Sequence, residues 1–490
     1  MKRKLNFCCL LLAAFVMCGA LAQCGEDDHQ TPPPINGGGE EEGGEEEGGG
    51  EEGKDGYPVG LTVEAFEDAL PNGSKCLGYY AVADFKANPK LRFRPQFSAA
   101  KTPTKYFSDF KAAGKGTPYV AVNGGFFGGT TSVSLLIEDG AVRSLAVQED
   151  WIWTTDPYTH FFPVRAALGQ LEDGTFDATW VYCVKDDGNR PYSFPSALGN
   201  DEKTKTFMAV APTSHTAGGK RWKAQQAIGA GPMLVHGGEN VAEVNYWKEI
   251  FDSGGLAGLS RQPRTAIGAT ADGKLVIVVC DGRKKRGSAG FTLPEMADKL
   301  ISLGCVQAIN LDGGGSSAMA LRQPGASETS LISSPSDGSQ RACANYIFFT
   351  ANTPSDGVTA HAVLTPSYRY ILPGASTWFS IKGADASYGP AEAPSDLVLE
   401  VSNDMGTVEG QTFTAGQKSG SATVTASNGS VSGSMNVCVT GDVHSIALQS
   451  GGKSVSSVSV KPGQSIDLDA LGYHLGQKMA STYTAFTWTV

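Results

Sequence analysis

Two aspartates stand where short apolar runs end. The run "KLVIVVC" closes on Asp281-Gly282-Arg283, and "CVQAINL" closes on Asp312, followed by Gly313, Gly314, Gly315, Ser316 and Ser317. Glycines behind a carboxylate have two uses: they make a tight turn, or they thin the backbone so that a substrate reaches the acid. Asn310 is a polar intruder in the second run. Because strand side chains alternate, Asn310 and Asp312 share one face while Ile309 and Leu311 share the other. The sequence offers no Ser-His-Asp set and no metal-ligating cluster, so neither a metal nor a cofactor is expected.

The intervening residues say how the two acids are placed. After the polar loop "KKRGSAG", Thr292-Leu-Pro-Glu295 is a capping box with proline in the first turn. Leu293, Met296, Ala297 and Leu300 recur at helical spacing and Gly304 marks the stop, which predicts a helix over about 293–303. Strand, helix and strand with short connections predict a βαβ unit with parallel strands and a right-handed crossover. Both aspartates then emerge at one sheet edge, where open α/β folds take their ligands. Adjacent strands about 5 Å apart would bring them within about 5 to 10 Å. A further strand, "PYVAV", ends in Asn123-Gly-Gly-Phe-Phe127 and adds a third polar group if it joins the same sheet.

The chain has 490 residues, of which 41% are hydrophobic, enough for several domains with real cores. Its formal charge of −11 is concentrated at one end: residues 1–56 carry twelve acidic and four basic side chains. The remainder is nearly neutral, which gives no footprint for nucleic acid. Residues 1–23 read as a signal peptide ending in "LAQC", which resembles a lipoprotein cleavage site and makes Cys24 the expected lipid attachment point. The acidic residues behind Cys24 point to the outer face of a bacterial outer membrane. Residues 24–56, rich in Gly and Glu, form an extended leash. Cys76, Cys183, Cys280, Cys305, Cys343 and Cys438 lack CxxC or metal-like spacing and are expected as small core residues.

From 57 to 352 the texture is mixed, and the expected fold is α/β (mixed α+β), with a largely β core that contains the βαβ unit. Residues 357–441 alternate in short Ser/Thr/Val runs, the pattern of an all-β immunoglobulin-like sandwich, and 442–490 begin a second, incomplete module of the same kind.

Several stretches together carry a family resemblance: "NGGFF" (123–127), "GAGPMLV" (229–235), "PRTAIGAT" (263–270), "DGR" (281–283), the run 290–319 and Asn345. In this order they resemble the phosphodiester glycosidase family over roughly Val59 to Thr350. The resemblance implies hydrolysis of a sugar-1-phosphodiester to free sugar and a phosphomonoester, with alpha-linked N-acetylglucosamine as the sugar and a glycan or cell-envelope polymer as its carrier. Phosphate is already a good leaving group, so the site needs less general-acid help and more stabilisation of phosphate charge. Carboxylates Asp312, Asp281 and Glu295 are the catalytic candidates that steady an oxocarbenium-like transition state and activate water or attack directly. Glu295 is also explained by its capping box. Arg264 and Arg283 supply planar forks for phosphate oxygens. Asn123, Thr265, Asn310, Gly313, Gly314 and Ser316 complete the expected substrate contacts, with glycine amides forming an anion-binding nest. Two other functions compete: a non-catalytic glycan-binding or adhesive surface lipoprotein, and an ordinary glycoside hydrolase that would not need the arginines.

Overall fold

The computed structural model describes residues 57–152, 157–252, 257–352, 355–402, 404–482 and 485–488. Cys24, the signal segment and the acidic leash lie outside the described residues. The chain from Tyr57 is mostly β. Among the described residues no helix is long and apolar enough to cross a membrane.

A seven-stranded sheet holds the two apolar runs. Its order is Leu61–Ala69, Lys75–Ala83, Leu275–Cys280, Arg264–Thr270, Cys305–Asn310, Met233–His236 and Glu239–Asn240, and every neighbouring pair is antiparallel. The expected helix spans Leu293–Ser302 with both bonds of its capping box formed, and it buries Leu293, Met296, Ala297 and Leu300. That face packs with Phe66, Ala266, Val276, Val278 and Ala308 of the sheet.

The expected βαβ unit is altered in one respect. Leu275–Cys280 and Cys305–Asn310 do run in the same direction, but Arg264–Thr270 lies between them and is antiparallel to both. The cause is local: Gly273, at φ +90°, closes a hairpin in which the Thr270 amide donates to the Lys274 carbonyl at 3.0 Å. A tight hairpin pairs its own two strands first and so occupies the position beside Leu275–Cys280. The acids are therefore two strand spacings apart, about 9.5 Å, not one. They still leave at the same edge, since Ala266 faces Val278 on one side and Asn310 on the other.

"PYVAV" does not join this sheet. The strand Thr117–Asn123 is buried on both faces in a second, five-stranded sheet, between Met319–Arg322 and Cys343–Ala351. The stretch 311–318 thus leaves one sheet at Asn310 and enters the other at Met319.

Beyond 357 the described residues are strands and turns around a separate core that includes Leu364, Phe379, Phe413, Val424, Val437 and Met479. The short strand Tyr370–Ile371 pairs in parallel with Cys438–Val439 on one side and Met479–Ala480 on the other, so the strands after 442 continue the same sheet. This region is fastened to the half before residue 352 by Ser387, whose carbonyl accepts from Tyr119 Oη and Arg322 Nη2, both at 3.0 Å. Among the described residues all six cysteines are free thiols, five of them buried.

Candidate active site

Asp312 sits where the two sheets meet. Its amide donates to the Gly124 carbonyl at 3.0 Å, and its own carbonyl accepts from Asn123 Nδ2 at 2.6 Å. The Oδ1 of Asn123 accepts from Thr265 Oγ1 at 2.8 Å and from the Ala318 amide at 3.2 Å. One buried amide therefore ties three chain segments around the acid, and Asn123 and Thr265 are spent in doing so. Asn310 has a similar duty: its Nδ2 donates to the carbonyls of Gly231 at 2.9 Å and Leu311 at 2.7 Å. The scattered motifs "NGGFF", "GAGP", "RTAIG" and "NLDGGG" converge because these asparagines bond their backbones together.

The loop that follows explains two of its glycines. Gly314 has φ +60°, and Arg283 Nη2 lies 3.3 Å from where its Cβ would stand. A Cβ on Gly315 would collide with the Asp337 carboxylate and Arg341 Nη2. The left-handed backbone favours glycine at 314, and any side chain at 315 would displace the exposed Asp337–Arg341 pair. The expected anion nest is largely closed, however. The Gly313 amide bonds Asp312 Oδ1 at 2.9 Å, and the Gly314 amide bonds the Pro263 carbonyl at 2.8 Å.

Positive charge comes instead from side chains. Arg341 is exposed, pairs with Asp337 at 2.6 Å, and donates Nη1 to Ser316 Oγ at 3.2 Å. Arg283, also exposed, is steered by Gln262 Oε1 at 2.9 Å and Ser336 Oγ at 3.3 Å. Both Arg283 and Lys284 hold left-handed backbone, at φ +52° and +66°. Such a conformation is costly for residues with a Cβ and persists where the surroundings enforce it. Burial raises the Asp312 carboxyl to about 6, against the opposing pull of the Ser316 hydroxyl, the Arg341 charge and the Gly313 amide. A partly buried acid poised near neutrality, with the Arg341 charge acting on it, can exchange a proton near pH 7.

Three expected residues have other work here. Asp281 is buried, with Oδ2 held by Arg286 at 2.6 Å and Oδ1 by the Ser334 amide at 2.8 Å. Desolvation nonetheless leaves its carboxyl above the ordinary range, Arg286 and Ser334 pulling the other way. Glu295 accepts from Thr292 N at 2.9 Å and pairs with Arg261 at 2.6 Å, so its place is the helix cap and not the Asp312 loop. Hydrogen bonds from Arg261 and Thr292 hold its carboxyl below the ordinary range, although burial alone would raise it. Arg264 is buried and gives Nε and Nη2 to the carbonyls of Phe291, Ala257, Gly258 and Ser260. Burial pushes its guanidinium down to about 10, still cationic at neutral pH. It clamps the carbonyls of 257–260 to that of Phe291.

Sequence reasoning missed Arg341 and Asp337. Their only signal was an i, i+4 charge pair just before the apolar strand Cys343–Ala351, in a Ser-rich stretch that resembles an ordinary loop.

Residues 182–350 match the phosphodiester glycosidase family. An SPbeta prophage-derived uncharacterized protein, YomE, of Bacillus subtilis (strain 168) is 42% identical over 96 residues, which are 20% of this chain and 14% of that protein. Among solved structures, the catalytic domain of zebrafish N-acetylglucosamine-1-phosphodiester alpha-N-acetylglucosaminidase, auto-inhibited by its pro-peptide, overlaps with a TM-score of 0.40 and 17% identity, over 59% of this chain and 82% of that one. A hypothetical protein from Synechocystis overlaps with a TM-score of 0.37 and 19% identity, over 60% and 62% of the two chains.

Proposed function

We propose, from the phosphodiester glycosidase domain that residues 182–350 make up, that the chain hydrolyses a sugar-1-phosphodiester, with Asp312 as its central carboxylate. The observation that carries this reading is that Arg283 and Arg341 approach the consecutive glycines Gly314 and Gly315 behind Asp312, Arg341 also reaching Ser316. Planar guanidiniums match phosphate oxygens, whereas a plain glycoside offers them nothing.

In this mechanism the two arginines hold the phosphodiester with the anomeric carbon toward Asp312. With a carboxyl near 6, Asp312 is largely ionised at pH 7 and accepts a proton from water as that water attacks C1. The C1–O bond breaks and its electron pair stays on the phosphate oxygen, giving free sugar and a phosphomonoester. Since the departing phosphate needs no proton, a single carboxylate suffices. The sequestered state of Asp281 and Glu295 is consistent with that economy. N-acetylglucosamine as the sugar, an envelope glycan as carrier, and an exported lipoprotein anchored at Cys24 on the outer membrane belong to the same proposal.

Incubating the purified chain with an N-acetylglucosamine-1-phosphodiester and, separately, an aryl N-acetylglucosaminide tests it. The expected result is sugar release from the phosphodiester and its loss in Asp312→Asn. Turnover of neither substrate would favour a glycan-binding surface protein, and equal turnover of both would favour an ordinary glycosidase.

A further inference from the structure

Far from Asp312 in sequence, a second cluster joins the C-terminal strands to the edge of the seven-stranded sheet. Strands Ser445–Ser450 and Asp469–His474 pair antiparallel, with Ser445 opposite Tyr473 and the His444 amide bonded to the Tyr473 carbonyl at 2.8 Å. That register places His444 beside His474, their rings 4.3 Å apart. Asp442, two residues earlier, brings its carboxylate to 2.9 Å from His444 Nε2. One donor atom from each of Asp442, His444 and His474 lies within 4.8 Å of the others.

Each imidazole also has a partner behind it. His474 Nδ1 faces the Asp442 carbonyl at 2.8 Å, and His444 Nδ1 faces Glu67 Oε1 at 3.0 Å. The Leu475 amide, 3.3 Å from the same His444 nitrogen, is the weaker contact. At His444 a proton on Nδ1 satisfies the Glu67 carboxylate and turns Nε2 toward Asp442, the outer arrangement typical of metal-binding histidine, while His474 Nδ1 lies 3.7 Å from the same Asp442 carboxylate. The rival account is an imidazolium at His444 bridging Asp442 and Glu67 with no metal at all.

We propose that Asp442, His444 and His474 form a binding site for a divalent transition metal of the Zn²⁺ class, with Glu67 as the outer partner of His444. Two imidazoles and a carboxylate supply three of four tetrahedral positions, leaving the last to water. Ca²⁺ and Mg²⁺ prefer all-oxygen sets and fit less well. Glu67 belongs to the edge strand Leu61–Ala69, so the metal staples the C-terminal hairpin to that edge. The hairpin tip already meets the enzyme-like half: a Cβ on Gly476 would stand 3.2 Å from Leu77 Cδ1 and 3.5 Å from Arg286 Nη1. The inference does not depend on the glycosidase reading.

The test uses the untagged chain, stripped with chelator and equilibrated with Zn²⁺, with bound metal counted by elemental analysis. About one equivalent is expected in the wild type and none above background in His444→Ala/His474→Ala. Glu67→Gln should weaken binding by about 10- to 100-fold, as loss of an outer partner does. Zn²⁺ should also raise the melting midpoint of the wild type. No bound metal in the wild type, or equal metal in the double variant, overturns the proposal. Should the double variant fail to fold, the wild type loaded with Co²⁺ decides: the intense visible bands of four-coordinate cobalt support the site, and their absence refutes it.

Discussion

Arg341 reaches over the glycine turn to donate to Ser316 Oγ at 3.2 Å, and through that serine its charge bears on Asp312. Arg341→Ala should therefore have two effects. Turnover of the phosphodiester should fall by about 10²-fold, as when one preorganised donor to a developing anion is removed. The acid limb of the kcat/KM profile should also move to higher pH, because the charge that stabilises ionised Asp312 is gone. Arg341→Lys should restore the position of the limb better than the rate. Steady-state kinetics across pH 5 to 8 would check both, and an unmoved limb would detach Arg341 from Asp312.

Asp312 sets the wild-type pH dependence. A base with its carboxyl raised to about 6 gives a kcat/KM that climbs with pH through about 6 and flattens above it. A limb near 4 would show that the acting base is an unperturbed carboxylate elsewhere.

Asp312→Asn should trade activity for stability. Activity is expected to fall by about 10² to 10⁴-fold. The folded-state value lies above the ordinary 3.8, so the ionised form destabilises the fold. That penalty is complete above pH 6 and disappears as pH falls toward 4. Removing the charge should thus raise stability by about 1–2 kcal/mol at pH 8, after allowance for partial solvent screening, and by little at pH 4. Denaturant melts of both proteins at the two pH values provide the measurement.

Asp281 and Arg286 should behave as a structural pair. Asp281→Ala leaves a half-buried guanidinium without its carboxylate, and a loss of about 3 kcal/mol is expected. Adding Arg286→Ala should cost less than the sum of the single changes. Additive losses in a double-mutant cycle would mean that the pair is not coupled.

Glu295→Gln separates cap from catalysis. Glutamine retains the reciprocal bond to the Thr292 amide but loses the charged contact with Arg261. Stability should drop by about 0.5–1 kcal/mol with kcat unchanged. A large drop in kcat would return Glu295 to the catalytic group.

Much of this was legible in residue types and spacing. The helix Leu293–Ser302 was set by Thr292, Pro294, Glu295 and its apolar stripe, all of which act within a few residues. Asn310 and the glycine turn were legible from strand alternation and adjacency to Asp312, but the convergence of Asn123 and Thr265 was legible only through the family resemblance, since nothing local says that Thr117–Asn123 meets Asp312. Strand order was misread for a physical reason. The Asp272-Gly273 hairpin was itself a strong signal, and it gave Leu275–Cys280 a neighbour before the helix could supply one. Arg264 was expected to offer its fork to phosphate oxygens, but its partners are backbone carbonyls, which carry no side-chain signature. Arg341 stayed hidden because a loop's chemistry depends on what it folds against.

The shared carbonyl of Ser387 bears on how this protein could have been assembled. Arg322 ends the strand that begins immediately after the Asp312 loop, and its buried guanidinium finds an acceptor in the C-terminal region. A chain ending before 357 would leave both donors without that acceptor, so a transplant of the half that carries Asp312 should take the Ser387 turn with it.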